Sequence, residues 1–271
     1  MGHSMAKSQQ KDLEALHASR IATIEAASGP VFAIPTHYPS GYRVKPHHHS
    51  RAQLLYARTG VVMVTSAIGR WMVPPGHAMW IPPEVEHAVE MLGGVNMLSV
   101  YVQPRAVPGL PEALRVVALD DLTRALVVEA NMQPYGRPDD ARAGMVMALL
   151  LDSIPRLPEA PLGLPFPADP RLIALCRRFI DNPSPHLVID DWADELAMSR
   201  RTFTRAFRRE TGLSLSTWRQ QACLFTALPR LAAGEPVTSV ALDLGYDSVA
   251  AFTTMFKRML GSPPRGYFGG G

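Results

Sequence analysis

His47, His48 and His49 run consecutively, Gln53 follows four residues after His49, and His87 lies on a later segment. On a β-strand, residues two apart share a face, so His47 and His49 project together while His48 points away. Brought together with Gln53 and His87, they would present imidazole nitrogens and an amide oxygen to a divalent metal ion. Imidazole suits Zn, Fe, Ni and Cu, but a neutral Gln is a poorer ligand than a carboxylate. The same side chains equally suit a metal-free pocket for a small molecule, or histidines that are structural or solvated in a polar loop. Aromatic and apolar residues lie close by in sequence, and Tyr42 and Trp80 join His47, His49, Gln53 and His87 as candidate pocket lining.

A second group of reactive side chains falls in Ser199–Gly212. At helical spacing Phe203 and Phe207 share one face, while Arg201, Arg205 and Arg208 share another, with Thr204 beside them and Arg200 flanking. Arginine grips a guanine edge or a phosphate bidentately, which lysine does only as a point charge. The alternative is a solvated basic stripe. A weaker copy follows 49 residues later, pairing Ser199 with Ser248, Phe203 with Phe252, Thr204 with Thr253, Phe207 with Phe256 and Gly212 with Gly261. Its outward positions carry Val249, Ala250, Thr253, Thr254 and Lys257.

These residues need elements to hold them. Residues 1–29 read as a helical arm, stopped by Gly29-Pro30. Residues 30–108 break into short apolar runs punctuated by Gly and Pro, the texture of a small antiparallel barrel or sandwich. Within 109–154, Leu114–Met132 and Asp139–Ile154 read as helices, the second so apolar that it suits a dimer contact or a domain core. Residues 155–170 hold six prolines and suit an extended linker. Residues 171–271 are helical throughout, with a short helix and a turn before each copy of the repeated unit, the pattern of helix-turn-helix. Pro229 interrupts the long helix between the copies and is expected to kink or break it. The fold class expected is α+β: a β-barrel with flanking helices, then an all-α domain.

Charge is unevenly placed. Residues 171–271 carry 13 Lys and Arg against 9 Asp and Glu, whereas residues 1–170 carry 14 against 15. The basic excess lies where double-stranded DNA would be met. A hydrophobic fraction of 47% with 19% charged residues excludes a disordered chain. No apolar run approaches the roughly 18 residues of a membrane span, so no membrane partner is expected. Two cysteines form no disulfide framework, and a reducing cytoplasm is the expected compartment.

Two resemblances follow from the motifs. Gly41, His47, His49, Gln53 and Gly60 are similar to the first cupin motif with Gln in place of Glu, and Gly76, Pro82, Glu84 and His87 resemble the second with Glu84 in place of Gly. In metal cupins the positions of His47, His49, Gln53 and His87 bind a divalent ion. Over 171–268, the ordered Ser-x3-Phe-x3-Phe unit, Gly212, Val240-Ala, Gly245-Tyr246 and Pro263-Pro264 resemble the AraC/XylS family of transcription regulators. That likeness implies two recognition helices in successive major grooves about 34 Å apart. The base-reading positions are Arg201, Thr204 and Arg205, then Val249, Ala250, Thr253 and Thr254. It also implies a small-molecule effector in the cupin-like barrel with no cofactor required, a homodimer, and RNA polymerase as a partner if the protein activates. An enzyme is not expected. The alternative reading is a metal-dependent cupin enzyme or a metal-ion sensor.

Overall fold

The computed structural model describes residues 15–106, 108–132, 141–265 and 267. The first part of the expected arm and the proposed helix start at Pro138-Asp139-Asp140 lie outside them. The chain divides into two compact units, one of residues 1–66 and 73–160, the other of 67–72 and 161–271.

The first unit is built on strands β1 (Val31–Tyr38), β2 (Arg43–His47), β3 (Ala52–Ser66), β5 (His77–Ile81), β6 (His87–Val102) and β7 (Arg115–Ala118), while β4 (Gly69–Val73) falls in the second unit but for its last residue. Every pairing is antiparallel. β3 and β6 are long enough to change neighbours along their length. The first half of β6 pairs with β2 and its second half with β1, while β3 pairs with β6 throughout and with β5 only at its start. The sheet therefore rolls over on itself. Where β3 bends, the register shifts on both sides of Thr59, and Gly60 adopts φ +75°, with a Cβ there falling 2.7 Å from the Gly94 carbonyl. Only glycine fits that crossing.

The two faces of the sheet have different cover. Leu54, Tyr56 and Trp80 point to the core shared with α2 (Asp121–Met132) and α3 (Ala141–Ser153), through Leu126, Val127 and Leu150. On the other side helix α1, residues 15–26, brings Ile24 against Phe32 and Tyr101. The carboxylate of Glu25 accepts from both the amide and the hydroxyl of Ser50, at 2.8 and 2.6 Å, tying α1 to the sheet.

One expected helix is shorter than the sequence suggested. Residues 115–118 form β7, pairing with β5, and the helix starts only after Asp120, whose side chain accepts from the Thr123 amide at 2.7 Å. Val116 and Val117 are β-branched and buried, and sheet pairing overrides their place in an apparent helical period. The proline-rich stretch 155–170 is also bonded rather than free. The Ala160 amide donates to the Val116 carbonyl in the first unit, and β8 (Gly163–Pro165) pairs with β4 (Gly69–Val73) in the second.

In the second unit α4 (Pro170–Asp181), α5 (Ile189–Glu195), α6 (Arg200–Thr211), α7 (Leu215–Ala232), α8 (Val237–Asp243) and α9 (Val249–Leu260) follow in order. Phe179, Trp192, Phe203, Phe207 and Trp218 form its first core, with neighbouring ring centres 5.7–6.3 Å apart. Phe252 and Phe256 centre the second, against Tyr246 and Tyr267. Helix α7 continues through Pro229 instead of breaking there. The proline stands in the last turn, so its missing N–H removes one bond near the end, and the Ala233 amide closes the helix on the Pro229 carbonyl at 3.0 Å.

Candidate effector cavity and nucleic-acid interface

β2 ends at His47, whose register partner on β6 is His87. Strand alternation turns Gln53 and Leu55 of β3, and His87, Val89, Ser99 and Tyr101 of β6, toward the inner face. One ring nitrogen from each of His47, His49 and His87 lies within 4.8 Å of the others. His48 points away and stands 3.8 Å from the Glu84 carboxylate.

The ring tautomers are set by the backbone. Nδ1 of His47, His49 and His87 faces the carbonyls of Lys45, Arg51 and Val85 at 2.9, 2.5 and 2.8 Å. A carbonyl only accepts, so each Nδ1 carries a hydrogen, and in the neutral ring Nε2 is then left with a lone pair. Nε2 of His87 is buried without a partner. Nε2 of His49 faces Oε1 of Gln53 at 3.1 Å, while the Gln53 amide nitrogen donates to Ser99 Oγ at 2.9 Å. Two acceptors with no hydrogen between them repel. A cation relieves both. Rotating the Gln53 amide to point its NH2 at His49 relieves them without one. Burial, reinforced by the neighbouring His47, pushes the His87 ring down to about 3, and burial lowers His47 too. Both rings are therefore neutral near pH 7, the form that ligates metals.

The cavity lined by His47, Gln53 and His87, but not by His49, has a volume of about 30 Å³ as swept by the centre of a water-sized sphere, room for about two waters. Helix α1 closes one side with His17, Arg20 and Ile24, which the sequence reading missed. The His17 ring stands edge-on to His47 with centres 4.5 Å apart, and burial lowers it to about 4. The helical spacing of His17, Arg20 and Ile24 was visible; the sheet face that it covers was not. Two expected lining residues lie elsewhere. Tyr42 stacks on Tyr38 at 5.3 Å, and the Trp80 indole faces the helical core side and donates to the Pro111 carbonyl at 2.8 Å. Trp80 is the register partner of Leu54, so it shares the face opposite Gln53.

The second unit presents the arginines. Ser199 caps α6, accepting from the Thr202 amide, and Phe203, Phe207 and Thr211 bury its inner face. Arg201, Arg205 and Arg208 are exposed, and among the described residues no carboxylate pairs with them. Neighbouring arginines differ: Arg200 pairs with Asp190 at 3.4 Å, Arg209 with Glu210 at 3.3 Å, and Arg258 donates to Gln220 at 2.8 Å. Thr204 and Thr254 turn their hydroxyls back to the carbonyls of Arg200 and Ala250 at 2.8 and 2.9 Å. Ser248 caps α9 through the Ala251 amide. Ala250 and Lys257 are exposed, whereas Val249 and Thr253 are half-buried.

The two helix-turn-helix units are not simple copies. The amide of Met198 bonds the Ala193 carbonyl and that of Tyr246 bonds the Ala241 carbonyl, an offset of 48, whereas the capping serines are 49 apart. The second turn holds one extra residue, Asp247.

A rolled antiparallel sheet with an inner cavity, followed by paired helix-turn-helix units bearing an unpaired arginine face, defines a ligand-binding transcription regulator. The sequence matches the family described as AraC-like ligand binding domain over residues 29–153 and that described as helix-turn-helix domain over residues 192–269. It is 34% identical over 221 residues to the HTH-type transcriptional regulator NimR of Escherichia coli, covering 82% of this chain and 81% of that one. It is 27% identical to the HTH-type transcriptional regulator RipA of Corynebacterium glutamicum over 79% of this chain and 61% of that one. Regulatory protein SoxS of Escherichia coli is 33% identical over 97 residues, 35% of this chain and 88% of that protein. The chain belongs to the AraC family of DNA-binding transcription regulators.

Proposed function

We propose that this regulator reads its operator chiefly through α6, with Arg201, Arg205 and Arg208 supplying base and phosphate contacts, while α9 mainly positions the domain. The observation that carries the reading is the contrast between these three unpaired arginines and their tethered neighbours. On α9 the exposed side chains are small or hydroxylic apart from Lys257 and Arg258, the latter bonded to Gln220, and the Ala250 methyl suits contact with thymine. Arg205→Ala is expected to weaken specific binding by about 1–3 kcal/mol with the fold intact. Gel-shift titrations on a selected operator and on scrambled DNA measure it; equal losses on both assign Arg205 to phosphate alone, and no loss removes it from the interface.

The cavity behind His47, Gln53 and His87 is the effector site of this proposal, and the effector acts by binding one arrangement of the protein better than another. The protein acts as a dimer in this reading. Met145 and Leu149, one turn apart on α3, are 66% and 43% exposed, which supports α3 as the contact between copies. Sedimentation of Met145→Glu, expected to be monomeric where the parent is dimeric, tests this.

A second reading has its own observation, the unpartnered Nε2 of His87 and the facing acceptors of His49 and Gln53. His47, His49, His87 and Gln53 fit a divalent transition ion, which would supply a Lewis-acidic charge at the cavity. Elemental analysis of the purified protein beside His49→Ala tests it: a stoichiometric metal lost in the variant supports the ion, and its absence from both leaves the rotated Gln53 amide as the solution.

A further inference from the structure

The two helix-turn-helix motifs are joined by α7, whose last turn lacks one backbone bond at Pro229, shortly before α8 begins. A second connection runs directly between them, through the segment of residues 182–188 that links α4 to α5. The Arg219 guanidinium on α7 donates from Nη2 to the Pro185 carbonyl at 2.6 Å and from Nη1 to the Leu187 carbonyl. The backbone is thus held on both sides of His186, whose own amide donates to Ser184 Oγ at 3.2 Å. From that base the His186 ring reaches the turn between α8 and α9. Its Nε2 lies 2.7 Å from the Gly245 carbonyl and 3.5 Å from the Asp247 carboxylate. A carbonyl only accepts, so Nε2 carries a hydrogen and donates it. Pro185 meets the same turn, since a Cβ on Gly245 would fall 3.4 Å from its Cδ.

The braced turn is the longer of the two, by Asp247. An added residue adds conformational freedom unless something bonds it. Tyr246 ties the turn to its own motif, with its ring centre 5.4 Å from that of Phe252. His186 ties it to the other one. Asp247 directly precedes Ser248, the cap of α9, so whatever holds residues 245–247 sets where α9 begins. That end matters most, because a recognition helix meets base edges with its N-terminal residues.

We propose that His186 is a positioning residue for DNA recognition: through Gly245 and Asp247 it fixes the N-terminal end of α9 relative to α6, and so sets the base-pair spacing that the protein accepts between the two segments these helices meet. The proposal rests on α6 and α9 entering successive major grooves. One base pair displaces a groove by about 3.4 Å and turns it by about 35°. A braced α9 cannot follow that step, whereas one hung on α7 alone follows it at lower cost.

The test uses the full-length protein and a duplex that the unaltered protein selects from a random pool. Binding is titrated on that duplex and on two others, with one base pair added or removed between the two segments it protects from cleavage. The unaltered protein is expected to prefer the selected spacing by about ten-fold or more. His186→Ala is expected to lower that preference by about three-fold or more, the effect of one net hydrogen bond. His186→Gln, whose amide nitrogen reaches the place of Nε2, is expected to restore it. A preference unchanged or raised in His186→Ala, an equal loss of affinity on all three duplexes, or a His186→Gln as relaxed as His186→Ala overturns the proposal and leaves the two-groove reading standing. Indifference of the unaltered protein to spacing overturns that reading and the proposal with it. The His186 side chain is 58% exposed, so its removal leaves no cavity in the core. Should the alanine variant nevertheless fail to fold, His186→Ser, too short to reach the carbonyl, takes its place in the same titrations.

Discussion

Ala197 sits in the turn between α5 and α6 with φ +52°, a left-handed conformation that costs a residue bearing a Cβ about 1 kcal/mol. The corresponding position of the second unit is Gly245, at φ +77°. Ala197→Gly is therefore expected to raise stability by up to about 1 kcal/mol, less what the glycine adds to unfolded-chain entropy. A urea titration followed by tryptophan fluorescence measures it, since Trp192 and Trp218 lie in the adjoining core. Glu84 shows the same strain at φ +61°, where the second cupin motif has Gly. Its amide donates to the His49 carbonyl at 2.9 Å, which holds the turn in that conformation. That substitution was legible in the sequence. Its meaning was not, because a residue letter carries no dihedral angle.

Among the elements, α1 is the one on which the cavity most depends, since it brings Arg20 and His17 to a sheet that it is not part of. Its bond to the sheet through Glu25 and Ser50 is exposed, so Glu25→Ala is expected to cost about 1 kcal/mol, less than a buried pair would. The loss should appear as faster hydrogen exchange in residues 15–26 with the core strands unchanged. The Ser50 hydroxyl and amide hold the Glu25 carboxyl below its ordinary value. Its contribution is therefore complete above the unfolded carboxyl's pKa and fades as pH falls through the lowered folded value, so α1 loosens on the acid side. Within the second unit, α7 carries Trp218, which is fully buried against the rings of Phe179, Trp192 and Phe207. Trp218→Ala should cost about 3–5 kcal/mol in a urea melt of the second unit. Both α6 and α9 were readable as helices with the right inner faces, because aromatic residues four apart specify a face by local geometry alone. The strand β7 was not readable, because its pairing with β5 is made with residues some forty positions away.

At the scale of the molecule, the proline-rich segment divides differently from the linker expected over 155–170. Residues up to 160 belong with the sheet, and the Trp218 indole and Gln221 amide donate to the Pro165 and Pro161 carbonyls at 2.8 and 3.0 Å. A fragment of residues 161–271 is thus expected to be more stable than one of 171–271 by about 1–3 kcal/mol, since the shorter one loses these part-buried bonds, the Asp169 cap of α4 and the amide bonds of Ala168 and Asp169 to Glu210. Equal urea midpoints for the two fragments would assign those bonds no net stability. The amino-acid order by itself determined the two helix-turn-helix units and the arginine face of the first, which follow from a period of 3.6 residues; the expected strand alternation of His47 and His49 does not hold, because β2 ends at His47 and His49 lies beyond it. Only the tertiary structure decided that His87 pairs in register with His47, that Trp80 and Tyr42 lie off the cavity, and that α1 closes it with Arg20. Those outcomes depend on which strands pair and which sheet face a helix covers, and such long-range choices are made by burial and register rather than by any spacing within a segment.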